Sequence, residues 1–391
     1  MKLAFKLAYK NLIGAGLRTW LNVIVLSFSF VIIIAVKGIL VGWDRQAKND
    51  MTEWEIGGGQ YWQEDYDPYD AFSLEEAHAP IPREFVTGIE QGNMVPVLMT
   101  RGTIYPRGRM QSILIKGIDT QQELLEIPAH KLDTVVGAIP AVIGSSMASS
   151  NKLEKGDYLT MRWRDANGTF DAAEIFIAEI FTTNVPTVDA GQVWIPLDSL
   201  QSMLLMPGEA TTLTFRNREK AREDTGEWKL RSFEYLVSDI EEMIKTKSVG
   251  QSILYIILLV LALLAIFDTQ VLSIFRRQKE IGTYIALGYT RSEVVGLFTV
   301  EGGMHAVLAA LVGAVYGIPL LAWFAKNGIS LGMSSADFGF AMADTMYPVY
   351  SASLVIGTTV LVLLATTIVS YWPSRKIAKM NPTEALRGKL Q

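Results

Sequence analysis

The chain contains no cysteine. Disulfides, thiolate metal sites and a cysteine nucleophile are therefore excluded, although the absence does not identify a redox compartment. Histidine is nearly as scarce, and the three present, His78, His130 and His305, lie far apart and in different contexts. No Gly-x-x-x-x-Gly-Lys-[Ser/Thr] phosphate loop and no His-Glu-x-x-His metal motif occurs in the 391 residues. With none of these, the sequence offers no catalytic centre, bound cofactor or metal site of its own, and no nucleic-acid partner is expected.

What is abundant is apolar. Half of the residues are hydrophobic and the mean hydropathy is +0.24, too high for an ordinary soluble enzyme of this size. The net charge of −5 hides an asymmetry. Residues 43–248 hold 33 of the 40 acids and 20 of the 35 bases, a net of −13, which leaves +8 on the remainder. The two parts face different surroundings.

A bilayer core takes about 20 apolar residues in a helix, and four stretches qualify: Leu21–Val41, Ser252–Phe275, Val294–Ala325 and Val349–Trp372. The third holds Gly302, Gly303, Gly313, Gly317 and Pro319, and is read as one interrupted helix. Basic residues flank these spans on one side. Lys2, Lys6, Lys10 and Arg18 precede the first; Arg276, Arg277, Lys279 and Arg291 join the second to the third; Arg375, Lys376, Lys379, Arg387 and Lys389 follow the fourth. Both termini are therefore expected in the cytoplasm. The 43–248 block and the loop Lys326–Pro348, with one base against Asp337 and Asp344, belong outside.

The expected order is an interfacial amphipathic helix at 1–20, spans at 21–42, 249–275, 294–325 and 349–372, and a cytoplasmic helical loop at 276–293. An external loop at 326–348 and a cytoplasmic tail at 373–391 complete it. In the first segment Lys2, Lys6 and Lys10 recur at helical spacing, with Phe5, Leu12 and Ile13 on the remaining surface. A cleaved signal peptide is the rival reading of the first span. The span is too long for one, and Ala35-Val36-Lys37 is a poor cleavage site.

The outer block reads as mixed α and β in two subdomains. Ser112–Ile115, Tyr158–Met161 and Glu174–Ile177 have strand character, separated by turn signals at Lys155-Gly156-Asp157 and Asn167-Gly168. Arg216–Lys247 is charged and helix-permissive. The fold class is thus an α-helical membrane protein with four transmembrane helices and a large mixed α/β extracytoplasmic domain.

Between the second and third spans, Ile281, Tyr284, Ile285 and Gly288 follow helical spacing, with bases at both ends. Spacing alone leaves two readings open: an ordinary basic loop, or a short amphipathic helix offered to a soluble partner. Arg276-Arg277-Gln278-Lys279-Glu280-Ile281-Gly282, followed by Ala286-Leu287-Gly288-Tyr289-Thr290-Arg291, resembles the R-x-x-E-I-G…R-A-L-G-A-[ST] signature of the MacB/FtsX/LolC-LolE permeases; Thr283-Tyr284-Ile285 and Tyr289 depart from it. Leu7-Ala8-Tyr9-Lys10-Asn11-Leu12 with Leu17-Arg18-Thr19 is similar to that family's N-terminal motif. Pro373 through Arg387 resembles its closing P-x-x-x-A-x-x-x-x-P-x-E-A-L-R, and Glu301 ahead of the span glycines fits an E-x-x-x-x-x-x-x-G pattern. Val142-Ile143-Gly144, Lys155-Gly156-Asp157 and Trp194-Ile195-Pro196-Leu197 are similar to its periplasmic core domain.

The resemblance implies a multi-pass subunit of a bacterial cytoplasmic (inner) membrane, with its large domain periplasmic. It would pair with a second permease subunit, homodimeric or heterodimeric, and with two copies of an ABC ATPase that carry the ATP and magnesium. Arg277, Glu280, Ile281, Gly282, Tyr284, Ile285, Leu287 and Gly288 would form the ATPase-coupling helix. Lipoprotein release is the leading function that the resemblance implies. Efflux of peptides or macrolide-like compounds through a periplasmic adaptor, and mechanical relay to a cell-wall hydrolase, are the alternatives.

Some residues are conspicuous on their own. Asp268, Glu301 and His305 are polar in or beside apolar spans and are candidate contacts between helices. A satisfied interfacial histidine is the plainer reading of His305. Lys37, near the outer end of its span, is expected to snorkel. Trp54, Tyr61, Trp62 and Tyr66 are either buried aromatics of an outer loop or an amphipathic contact for lipid-borne cargo.

Overall fold

Hydropathy marks where a helix leaves lipid, not where it ends, and the computed structural model makes the difference visible. It describes residues 16–70, 72–134, 137–217, 224–330 and 345–379. Among these, four helices are long and apolar enough to cross a membrane, with mean hydropathies from 2.1 to 2.7. They are α1 (Gly16–Met51), α7 (Ser238–Arg276), α9 (Arg291–Asn327) and α10 (Ala352–Ser374). At 1.5 Å per residue the 36 residues of α1 and the 39 of α7 extend about 54 and 58 Å, well beyond the ~30 Å hydrocarbon core. The span ends expected near residues 42 and 249 are thus not helix ends. Asp44 and Lys48 pair at i, i+4 (3.1 Å), Lys48 also meets Glu241 (2.6 Å), and the charged turns continue as helix.

The chain divides into two compact units. In the helical unit (1–43, 244–329, 347–391), Val23, Leu26, Phe30, Ala262, Ile266, Ala306, Ala309 and Val362 form a common core. The helix α9 passes Pro319 unbroken, so the expected interruption is absent. Its glycines instead let neighbouring helices approach. A Cβ at Gly302 would strike Ser370 of α10, and one at Gly317 would strike Val31 of α1. Asn22 donates to the Ala265 carbonyl (3.2 Å) and to the Thr269 hydroxyl, tying α1 to α7.

The second unit (44–243, 330–346) is built on one nine-stranded sheet. Its strands are β1 (Gly59–Gln63), β3 (Met94–Ile104), β4 (Gln111–Ile118), β5 (Ile139–Gly144), β6 (Tyr158–Arg164), β7 (Phe170–Phe181), β8 (Gln192–Pro196), β10 (Thr212–Phe215) and β11 (Trp228–Ser232); β2 (Ala79–Pro80) and β9 (Glu209–Ala210) pair separately. The long strand β3 pairs with β10 at its start and with β6 at its end, so β3, β4, β8, β5, β7 and β6 form a closed circuit. Pairing is antiparallel except for β4–β8 and β5–β7. Alternate residues such as Ile104, Ile113, Ile115, Met161, Trp163, Ile175, Ile177 and Val193 fill its interior. Among the described residues, short α-helices decorate the unit: α2 (Arg83–Glu90), α3 (Ser145–Asn151), α4 (Pro186–Gly191), α5 (Leu197–Leu204) and α6 (Phe233–Leu236).

A three-stranded wing, β10, β1 and β11, has its own core of Tyr61, Phe85, Leu213, Phe215 and Trp228. Closed circuit and wing share one continuous sheet. The Arg216–Lys247 stretch is not one helix. Trp228–Ser232 is a strand because it pairs with β1 and buries Trp228, a tertiary reward that overrides local helix permissiveness. The Asn167-Gly168 turn joins β6 to β7, with Gly168 in the left-handed region (φ +79) and Asp165 accepting from the Asn167 and Thr169 amides. The basic helix expected at 1–20 lies outside the described residues except for its last five, which belong to α1, and the motif residues Met380–Arg387 lie outside them too.

Candidate functional site

Arg277 interrupts the helical run and serves as N-cap to α8 (Gln278–Ala286). Its Nη1 donates to both carboxylate oxygens of Glu301 (2.7 and 2.8 Å), its Nε donates to Glu280 (2.7 Å), and its guanidinium lies 4.8 Å from the Phe298 ring centre. Glu301 sits on α9 and is buried, so the pair ties the start of α8 to the bundle in a setting where losing either partner strands a charge. One turn on, Ile281 is fully enclosed by Ile274, Val294, Val295, Phe298 and Ile377. The helix is held by this ion pair and by Ile281, with Tyr284 and Ile285 packed against the same apolar cluster.

Its end is equally defined. Gly288 adopts φ +96, a conformation that an L side chain resists, and the Tyr289 amide donates to the Tyr284 carbonyl (3.1 Å). Thr290 then caps α9 reciprocally with Glu293. Exposed on this turn are Lys279, Glu280, Thr283, Leu287 (73% exposed) and Tyr289, the last packed edge-on to Tyr284 at 5.8 Å.

The eight candidate coupling residues therefore separate by role. Ile281 and Gly282 are buried within the chain and cannot face a partner; they anchor the helix. Tyr284 and Ile285 are half-buried, and Leu287 is outward. Sequence reasoning passed over Tyr289 as a surface residue because it was noted only as a departure from the motif.

The polar candidates also part company. Glu301 is used by Arg277. His305 is buried and donates from Nδ1 back to its own helix carbonyls at Glu301 and Gly302 (3.2 and 3.3 Å). Asp268 is exposed on α7. Lys37 lies 6.0 Å from the Tyr255 ring centre.

Of the four aromatic cargo candidates, Tyr61 and Trp62 are buried and Trp54 and Tyr66 are half-buried against the core. Trp54 stacks on Phe181 (5.2 Å), Tyr61 is packed by Phe85 and Phe215, and Trp62 is buried and meets Tyr66 edge-on (4.9 Å). Burial pushes the Tyr66 phenol well above its ordinary range, and the Glu55 charge adds to this. The outward aromatics of this segment are Tyr69 and Phe72, 78% and 74% exposed. An acid-rich strand-and-loop segment looks like surface, but its aromatics are the large apolar groups that fill the core.

An unforeseen polar anchor holds the end of α1 and the turn after it. Asn184 donates to Asp50 (3.1 Å), and Lys116, nearly fully buried, donates to Glu55 (3.0 Å). Gln192 and Thr187 also donate to Glu55, each at 3.2 Å. Burial pushes the Glu55 carboxyl up, but the Lys116 charge and these hydrogen bonds outweigh it and hold it below the usual carboxylate range. The available signal was Lys116 itself, a lone base inside the apolar run Ile113–Ile118.

Residues 252–382 match the family model for the FtsX-like permease C-terminal domain. About a third of the chain thus resembles the C-terminal part of FtsX-like permeases. An uncharacterized ABC transporter permease of Methanocaldococcus jannaschii is 30% identical over 180 residues, covering 44% of this chain and 43% of that protein. The macrolide export ATP-binding/permease protein MacB of Psychrobacter arcticus is 23% identical over 215 residues, 51% of this chain and 30% of its own length. The lipoprotein-releasing system transmembrane protein LolC of Xylella fastidiosa is 22% identical over 307 residues, 71% of this chain and 74% of LolC. The crystal structure of the extracellular domain of the transporter YknZ from Gram-positive bacteria overlays on 44% of this chain with a TM-score of 0.26 and 12% identity. The chain spans less than half the length of the first curated relatives it matches. The described residues include four helices long and apolar enough to cross a membrane, and the chain is similar to ABC transporter permeases, MacB and LolC among them.

Proposed function

We propose that the chain converts ATP hydrolysis by a separate ABC ATPase into movement of its α/β unit, and that the work done is release of lipidated protein from the membrane. The observation that carries the coupling half is the clamped helix α8. Arg277–Glu301 and Ile281 fix it to the bundle while Leu287 and Tyr289 face outward, so a push on its surface is delivered to α7 and α9 and not absorbed by a loose loop. The helix α7 runs unbroken from Ser238 to Arg276, and the turn after α1 is pinned by Glu55–Lys116. Two copies of the ATPase and a second permease subunit would complete the assembly, with the basic flanks cytoplasmic and residues 43–248 on the far side of the membrane.

The lipoprotein reading is supported by the LolC similarity, which extends over 71% of this chain. Efflux with an adaptor is the second reading, supported by the MacB similarity over about half of it. The test is reconstitution of the chain with its ATPase in proteoliposomes that carry a triacylated protein. ATP-dependent appearance of that protein in the soluble fraction is expected. ATP turnover without release would refute the lipoprotein reading, and turnover by the purified chain alone would refute the division of labour.

A further inference from the structure

We infer that the ends of α9 and α10 form a binding site for an anionic phospholipid, headgroup at a basic mouth and one acyl chain in an apolar cleft. A cavity of about 840 Å3 lies between these helices. Its mouth is lined by Arg375 and Lys376 just past the end of α10 and by Arg291 at the start of α9. Arg291 already has a partner within the chain, so Arg375 and Lys376 supply the charge for a headgroup. Among the described lining residues none is a carboxylate. Tyr371 and Trp372 stand beside these cations, both outward, with Trp372 71% exposed. Amphipathic aromatics next to bases are the side chains that settle at the headgroup level of a bilayer, and basic pockets between membrane helices accept anionic headgroups.

The inner part of the cleft is a different surface. It follows Val295, Gly296 and Val300 along α9. From Arg291 to Val300 the helix rises about 14 Å, which carries the cleft from the charged mouth well into the apolar part of the span. Gly296 forms an open stretch of this wall, where an added Cβ would meet nothing within 4 Å. The first turn of α9 is already capped by Thr290 and Glu293, so the cations, and not free helix amides, supply the charge complement. Charge at one end and an apolar trough at the other match an amphiphile, whereas a soluble anion would use only the mouth.

The inference rests on the membrane reading of the four helices and is independent of how the ATPase docks. The test titrates the full-length chain in neutral detergent with dioleoylphosphatidylglycerol and with dioleoylphosphatidylcholine, reading bound lipid by native mass spectrometry. Phosphatidylglycerol should bind at least about tenfold more tightly, consistent with the charge attraction of basic residues near a membrane surface. The double substitution Arg375→Gln and Lys376→Gln should lower that affinity about thirtyfold. Gly296→Leu, whose Cβ meets nothing within 4 Å and whose longer side chain would occupy the cleft, should weaken both lipids. Equal binding of the two lipids, unchanged binding in both variants, or displacement of phosphatidylglycerol by equimolar inorganic phosphate would overturn the assignment. Co-purification of the ATPase is read in parallel. Its loss from the Arg375/Lys376 variant with lipid binding intact would place these bases against the ATPase and also overturn it.

Discussion

Ile281 and Leu287 lie six residues apart on one short segment, and the structure gives them opposite jobs, which a pair of substitutions can separate. Ile281 is fully enclosed by side chains from α7, α9 and the residues after α10. Truncation to Ala removes three carbons from a packed site and should cost about 2–5 kcal/mol, so the detergent-solubilised chain should melt several degrees lower. Leu287 touches little of its own chain, and Leu287→Asp should change stability by no more than about 0.5 kcal/mol. If Leu287 seats in a groove of the ATPase, the same change removes an anchor worth about 2 kcal/mol or more, roughly a thirtyfold loss of affinity, and adds a desolvated charge. The assay is thermal unfolding of each purified variant beside co-purification and stimulation of the ATPase. Leu287→Asp should melt like the wild type yet retain no ATPase. Wild-type retention by Leu287→Asp, or normal melting of Ile281→Ala, would refute the division into anchor and contact.

The clamp itself is open to a double-mutant cycle. Glu301→Gln and Arg277→Met should each destabilise by about 2–4 kcal/mol, discounted from the fully buried case because Arg277 is partly exposed, and the double variant should cost less than the two singles summed; strict additivity in the melting data would argue against a coupled pair. Lys116 sets the sign of a pH dependence. Because the folded Glu55 pKa is depressed, its contribution is present above the unfolded carboxylate value near about 4.3 and fades as pH falls through the lower folded value. In Lys116→Met burial dominates and the folded pKa rises, so stability should fall as pH climbs from 5 to 7, and a melting profile unchanged between the two proteins would remove Glu55–Lys116 as the anchor. Topology can be read in this naturally cysteine-free chain by placing a single cysteine at Tyr69: labelling by an impermeant maleimide from outside intact spheroplasts is expected, and labelling only after permeabilisation would invert the orientation.

The sequence by itself determined the number of apolar spans, the acidic block between the first two and the position of α8, because these follow from hydropathy, charge and helical spacing along a continuous stretch of chain. It also determined that Gly288 can turn the chain, since only glycine adopts φ +96 cheaply. Only the tertiary structure decided the rest. Whether Ile281 faces a partner or a core depends on Phe298 and Ile377, which are distant in sequence, and the aromatics of the 54–66 segment were drawn inward by Phe181, Phe85 and Phe215. Periodicity shows that a helix or strand has an apolar side; the covering of that side depends on contacts between segments far apart in the chain. The same holds for charge. Lys116 and Glu55 are 61 positions apart, and neither has a reason to be buried until the other arrives.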